Sequence, residues 1–128
     1  MKQNNYKFVQ KDCIQWMNDH ADTYEVRINN RTEELAAVLL TGPNAREILQ
    51  PLTDEDLSNN AFPWLTCKSV KIDSATVRVI RVSYAGELGY ELHMERYQML
   101  SIFESLLRVG EKLGLHHFGG YAFNSLRM

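Results

Sequence analysis

Three stretches of alternating polarity follow one another between residues 70 and 94, and they leave little room for anything but a sheet. Val70-Lys71-Ile72-Asp73, Val77–Val82 and Tyr90-Glu91-Leu92-His93-Met94 each turn every second side chain to one side, the period of a half-buried strand. The first two are joined by a tight Ser74-Ala75 turn, and the next link, Ser83–Gly89, holds two glycines. Links this short join antiparallel neighbours, because a parallel crossover needs a dozen residues or more. Tyr97–Val109 then carries Leu100, Phe103, Leu106 and Leu107 at helical spacing, with Gly110 and Gly114 at its end. The expected class is α+β: a mixed or antiparallel sheet with flanking helices.

The upstream half adds to this frame. Cys13, Ile14, Trp16 and Met17 predict a short helix with Asp12 as its cap. Tyr24–Ile28 alternates as a half-buried strand should. The apolar run Leu35–Leu40, ended by Gly42-Pro43, predicts a buried strand. Pro43 suits a helix start, and Ala45, Ile48 and Leu49 form a short helix that Pro51 stops. Thr53–Asn60 is a polar connection, and Phe62-Pro63-Trp64-Leu65 is a bulky cluster expected to pack on the core.

Size and charge narrow the function classes. The chain has 128 residues, enough for one domain, and its net charge is −2. That charge offers no nucleic-acid or polybasic membrane surface. Ten acidic and six basic groups lie in residues 1–60, against six and eight in 61–128, an asymmetry typical of solvated surface. The longest apolar run is six residues, far below the roughly 20 of a membrane helix, so a soluble protein without membrane contact is expected. Cys13 and Cys67 make no disulfide framework and suit a reducing compartment, each as a small buried hydrophobe.

Generic chemistry is sparse. No cysteine or histidine has metal-ligand spacing, and the adjacent His116-His117 point apart on any regular element. Ser83 has no histidine at motif spacing, and no glycine pattern matches a phosphate loop or a dinucleotide turn. Taken alone, Glu91 reads as a solvent-facing strand carboxylate, Tyr84 as a packed aromatic and Arg127 as a surface cation. His20 and His93 read as surface or turn residues.

Three ordered landmarks change that reading. Leu40-Thr41-Gly42-Pro43-Asn44-Ala45-Arg46, with Leu52-Thr53-Asp54 and Phe62-Pro63-Trp64, resembles the glycine-cleavage T-protein (aminomethyltransferase) family. So do Arg81-Val82-Ser83-Tyr84-Ala85-Gly86-Glu87-Leu88-Gly89-Tyr90-Glu91-Leu92-His93 and Phe118–Met128. Within the family, the segments around Glu91 and Asn124 look most like the T-protein-like part of dimethylglycine and sarcosine dehydrogenases.

The resemblance implies the central part of a tetrahydrofolate-binding fold that passes a one-carbon unit to folate. It implies a single partial domain over residues 1–128, truncated at both ends. Demethylation of dimethylglycine or sarcosine is the implied activity. The alternatives are the glycine-cleavage aminomethyltransferase and a non-catalytic folate-binding or interaction module. Glu91 matches the carboxylate that holds the pterin ring, and Tyr84 an aromatic of the same pocket. A carboxylate offers two parallel acceptors to the pterin's two parallel donors. Glu87 reads as a structural turn residue.

Two departures stand out. Phe123 occupies the position of a folate-binding arginine, and Arg127 matches a different arginine whose role is not assigned. The family's catalytic aspartate is expected upstream of this chain, so no catalytic residue is named, and the chain alone is expected to be inactive. FAD is expected only in a fused or partner domain. No metal is expected. Partners are folate and a small methylamine, with a homodimer formed through Trp64, Phe62, Tyr121 and Phe123. The location implied is the cytoplasm, or the mitochondrial matrix in a eukaryote.

Overall fold

The computed structural model describes residues 13–21 and 25–127, and the chain divides into two compact units, Met1–Arg31 and Thr32–Met128. In the first unit, helix α1 spans Cys13–Ala21 as its periodicity predicts. Gln15 donates to Asp19 across one turn at 2.8 Å, and the Trp16 and His20 rings stack 4.2 Å apart. The predicted cap, Asp12, lies outside the described residues. No α1 residue is buried, and Cys13 is exposed, contrary to expectation. An amphipathic stripe is only an invitation to pack. Residues 25–28 form no strand, although the alternation of Tyr24–Ile28 predicts one; Tyr24 lies outside the described residues. Alternation makes a strand only where a neighbour supplies the ladder, and among the described residues no ladder includes this segment.

The second unit contains β1 (Leu35–Thr41), α2 (Ala45–Leu49), β2 (Cys67–Ile72), β3 (Ala75–Arg81), β4 (Gly89–Glu95), α3 (Met99–Gly110) and α4 (Gly120–Leu126). The sheet order is β1-β4-β3-β2, and every pairing is antiparallel. The α+β class holds, with a purely antiparallel sheet. Val70, Ile72, Val77, Val79, Tyr90, Leu92 and Met94 face inward and are buried. They share one core with Ile48 and Leu49 of α2, Leu57 and Phe62 of the connection, and Ile102 and Leu106 of α3. The opposite face of the sheet carries Leu39, Glu91, His93, Arg78 and Ile80, which are half-buried or exposed.

Several local expectations shift. The β2–β3 turn is Asp73-Ser74, one residue earlier than predicted, and Ala75 already belongs to β3. Asp73 adopts φ +52°, a conformation aspartate tolerates, and its carboxylate accepts from the buried Ser105 hydroxyl at 2.7 Å. β1 is a strand but not a buried one: only Leu40 is fully buried, because the strand lies at the sheet edge. Cys67 opens the other edge strand on the outer face and is exposed, not buried. On α3 the buried residues are Ile102, Ser105, Leu106 and Gly110, whereas Leu100 is exposed. Two residues before Ile102 is about 200° around a helix, so Leu100 lies on the far side. In the predicted cluster Phe62 is buried, but Trp64 and Leu65 are 61% and 63% exposed.

The Thr53–Asn60 connection is held by side chains standing in for a ladder. Gln50 Nε2 donates to the Glu55 carbonyl at 2.8 Å while its Oε1 accepts from the Leu57 amide. Asp56 Oδ1 accepts from the Ser58 amide at 2.8 Å. That backbone bond, and then the Ser58 hydroxyl, hold the Asp56 carboxyl below its ordinary value of 3.8. A lowered folded pKa means that the carboxylate contributes stability above its unfolded pKa and loses it as pH falls through the folded one. Asp56→Ala should therefore lower the thermal midpoint slightly at neutral pH, and the gap to wild type should close in acid. An undiminished gap at about pH 2 would contradict the assignment.

Candidate functional site

Strand alternation turns Glu91 away from the core. Tyr90, Leu92 and Met94 point inward, so Glu91 and His93 stand together on the outer face of β4. Registry then surrounds Glu91 with apolar neighbours: Leu39 of β1 lies opposite on one side and Ile80 of β3 on the other. The carboxylate side chain is 43% exposed. It lines a cavity of about 350 Å³ with Leu39, Phe118, Gly119, Gly120 and Phe123. Ligand pockets range upward from about 300 Å³, so the cavity is small but adequate for a ring.

The carboxylate is half engaged. His93 Nε2 lies 3.1 Å from Glu91 Oε2. A carboxylate only accepts, so the hydrogen of this bond sits on Nε2. Among the described residues, nothing donates to Oε1. One oxygen is thus oriented by the imidazole and the other is free for a donor.

Tyr84 sits next to this cavity without lining it. Its ring stacks on Phe123 with centroids 4.4 Å apart, and its hydroxyl donates to Asn124 Oδ1 at 3.0 Å. The Arg127 guanidinium lies 4.4 Å from the Tyr84 ring centroid. Tyr84 therefore reaches the site through Phe123, which it backs. Phe123 is itself 5.7 Å from Phe118, and both rings line the cavity together with Glu91. Arg127 contacts Tyr84 and is not a lining residue.

The loop between β3 and β4 explains its own glycines. Gly86 has φ +86°, and a Cβ on Gly89 would fall 2.5 Å from the Val82 carbonyl oxygen. Glu87 is exposed and lines a separate cavity of about 530 Å³ with Trp64, Arg81 and Ser83. The Arg81 Nε and Ser83 Oγ atoms there are buried, with no hydrogen-bond partner among the described residues.

The sequence separated Glu91 from the core face, but it missed four members of the site: His93, Phe118, Gly119 and Gly120. His93 shares the outer face at i+2, which the alternation already contained. Phe118 and the glycine pair carry no local signal, since nothing in their own segment says which strand they will lie against.

A family model described as the GCVT N-terminal domain matches residues 4–128. Dimethylglycine dehydrogenase from Homo sapiens, a mitochondrial protein, is 40% identical over 117 residues, 90% of this chain and 14% of that protein. An aminomethyltransferase from Thermoanaerobacter sp. (strain X514) is 39% identical over 119 residues, 93% of the chain and 32% of that protein. Mitochondrial sarcosine dehydrogenase from Mus musculus is 38% identical over 103 residues, 80% of the chain and 11% of that protein. The chain thus spans from about a ninth to about a third of the length of these relatives.

Proposed function

The chain belongs to the GCVT N-terminal domain family, and from that membership we propose that it forms the tetrahydrofolate-binding part of a one-carbon-transfer enzyme. The substrate class we propose is a methylated glycine, dimethylglycine or sarcosine. The observation that carries the reading is Glu91: a carboxylate with one oxygen held by His93 and one unspent, sharing a small cavity with Phe118 and Phe123. That acceptor, with the two phenyl rings beside it, suits a pterin, whose adjacent ring N–H and amino groups need acceptors and whose faces need apolar contact.

In this scheme Glu91 holds the pterin edge, His93 keeps the carboxylate oriented, and Phe123 covers the ring with Tyr84 stacked behind it. Folate, when bound, supplies the acceptor for the one-carbon unit. The oxidising flavin of a dehydrogenase would belong to a fused or partner domain. Phe123 favours a dehydrogenase-type part over the glycine-cleavage aminomethyltransferase, because a phenyl ring cannot supply an arginine's charge. For a eukaryotic source the proposed compartment is the mitochondrial matrix.

Titrating 5-formyltetrahydrofolate, a stable folate, into the isotopically labelled chain tests this. Saturable amide shifts are expected on β4 and on residues 118–124. Shifts confined to the Trp64–Glu87 cavity, or none at all, would remove the proposal.

We further propose that a second copy of the chain covers the exposed aromatics of this unit. Trp64 is 61% and Tyr121 94% exposed, whereas Phe62 is buried and takes no part, contrary to expectation. Light scattering at tens of micromolar should give a dimer, and Trp64→Ser with Tyr121→Ser should shift it toward monomer. A monomeric wild type would end this reading.

A further inference from the structure

Helix α4 has little of its own to hold it. It is seven residues long, and none of them is buried. An isolated helix shorter than about 12–15 residues is marginal in water, so the order of α4 has to come from contacts outside it. Gly119 and Gly120 lead into it. Glycine loses more backbone freedom on ordering than any other residue, so this pair adds to the cost of fixing the helix in place.

Among the described residues, every hydrogen bond and ring contact from α4 and its cap Arg127 to the sheet and its loops ends on one side chain, Tyr84. Phe123 stacks on the Tyr84 ring at 4.4 Å, and Asn124 Oδ1 accepts from its hydroxyl at 3.0 Å. The Arg127 guanidinium lies 4.4 Å from the same ring centroid. Phe123 and Arg127 are one turn apart, so Tyr84 lies along a single stripe of the helix. The β3–β4 loop that carries Tyr84 is itself tied down. The Val82 amide donates to the Gly89 carbonyl at 3.1 Å, and the Gly42 amide to the Leu88 carbonyl at 2.9 Å.

We infer that Tyr84 is the catch of a strap: α4 is a helix while Tyr84 clasps it and melts when released, with Gly119-Gly120 as the hinge. Gly120 and Phe123 line the Glu91 cavity, so release removes part of its wall. Tyr84 is a positioning residue that acts through Phe123. A ligand that needs this wall binds the clasped state and by linkage raises the helical population of α4. That coupling rests on the proposed reading of the cavity as a ligand site, whereas the catch does not.

Carbon chemical shifts of residues 121–126 in the labelled chain, without ligand, test the catch. Wild type should give helical shifts. Tyr84→Ala should raise the melted-to-helical ratio of α4 about tenfold or more, because a hydrogen bond, a ring stack and a cation–π contact go together. Tyr84→Phe keeps both ring contacts and should raise the ratio only about threefold. Gly119→Ala and Gly120→Ala should move it the other way, by about two- to fivefold each, since alanine narrows the released ensemble. A Cβ at either position meets no atom within 4 Å. The shifts of β3 and β4 should stay in place throughout. Unchanged α4 shifts in Tyr84→Ala overturn the inference, and so does a loss that spreads through β3 and β4 in Tyr84→Phe. Added 5-formyltetrahydrofolate should raise the helical population of Tyr84→Phe. Saturable binding that leaves α4 unmoved overturns the coupling. No binding at all overturns the ligand reading and the coupling with it, while the catch stands or falls on the ligand-free shifts.

Discussion

Phe62→Ala should remove about 3–5 kcal/mol of the chain's stability, a large share of what a domain of this size holds. Phe62 is 0% exposed and lies outside any strand or helix, so its ring is the main anchor of the connection leading into β2. It packs 6.0 Å from the Tyr90 ring, and Lys68 Nζ lies 5.5 Å from its own centroid. Its carbonyl accepts from Arg81 Nη1 at 2.6 Å, and Arg81 also exchanges backbone hydrogen bonds with Leu65 and Thr66. Removing the ring empties the core side of this clamp while Arg81 still holds the backbone. The site then cannot collapse freely, and a cavity remains. Truncations of this kind cost about 3–5 kcal/mol. A domain of this size holds about 5–15 kcal/mol in all. Urea unfolding followed by tryptophan fluorescence should show a lower midpoint with an unchanged slope. A loss below about 1 kcal/mol would mean that the connection is not anchored by Phe62.

On the proposed folate reading, Glu91→Gln should weaken folate binding in the intact enzyme roughly 30- to 1000-fold, or about 2–4 kcal/mol. Glutamine keeps the size but turns one acceptor into a donor. Whichever way the amide is set, one side suffers. With its oxygen toward His93, the NH₂ group confronts the pterin's own donors. With its NH₂ toward His93, the imidazole tautomer that donates from Nε2 loses its acceptor. The side chain is 43% exposed, so the thermal midpoint should barely move, which separates a binding defect from a folding defect. Calorimetry on variant and wild type reads the difference directly. A change of less than about threefold would return Glu91 to a plain surface carboxylate.

Much of this was legible in the residues. The alternation in Val70–Asp73, Val77–Val82 and Tyr90–Met94 identified β2, β3 and β4 and assigned Glu91 to the face away from Leu92. Period-two patterning is a local property of the backbone, so it survives without knowledge of the neighbours. The same logic failed at residues 25–28, where the pattern is present and no described neighbour completes a ladder. It also failed at Leu100 of α3, because an apolar residue does not say which stripe of a helix will be covered.

The order of the strands was another matter. β1 is separated from β4 by α2, β2 and β3 in sequence, yet the two pair along their whole length, from Leu35 opposite Glu95 to Thr41 opposite Gly89. That pairing places Leu39 beside Glu91. The course of the chain after α3 then lays Phe118, Gly119, Gly120 and Phe123 around the same carboxylate. Spacing along the chain thus carried β2, β3 and β4, the outward face of Glu91 and the family landmarks. That Glu91 lies in a cavity lined by Phe123 came from the fold alone. It depends on contacts between segments distant in sequence, whose energies are settled by the packing of the whole core.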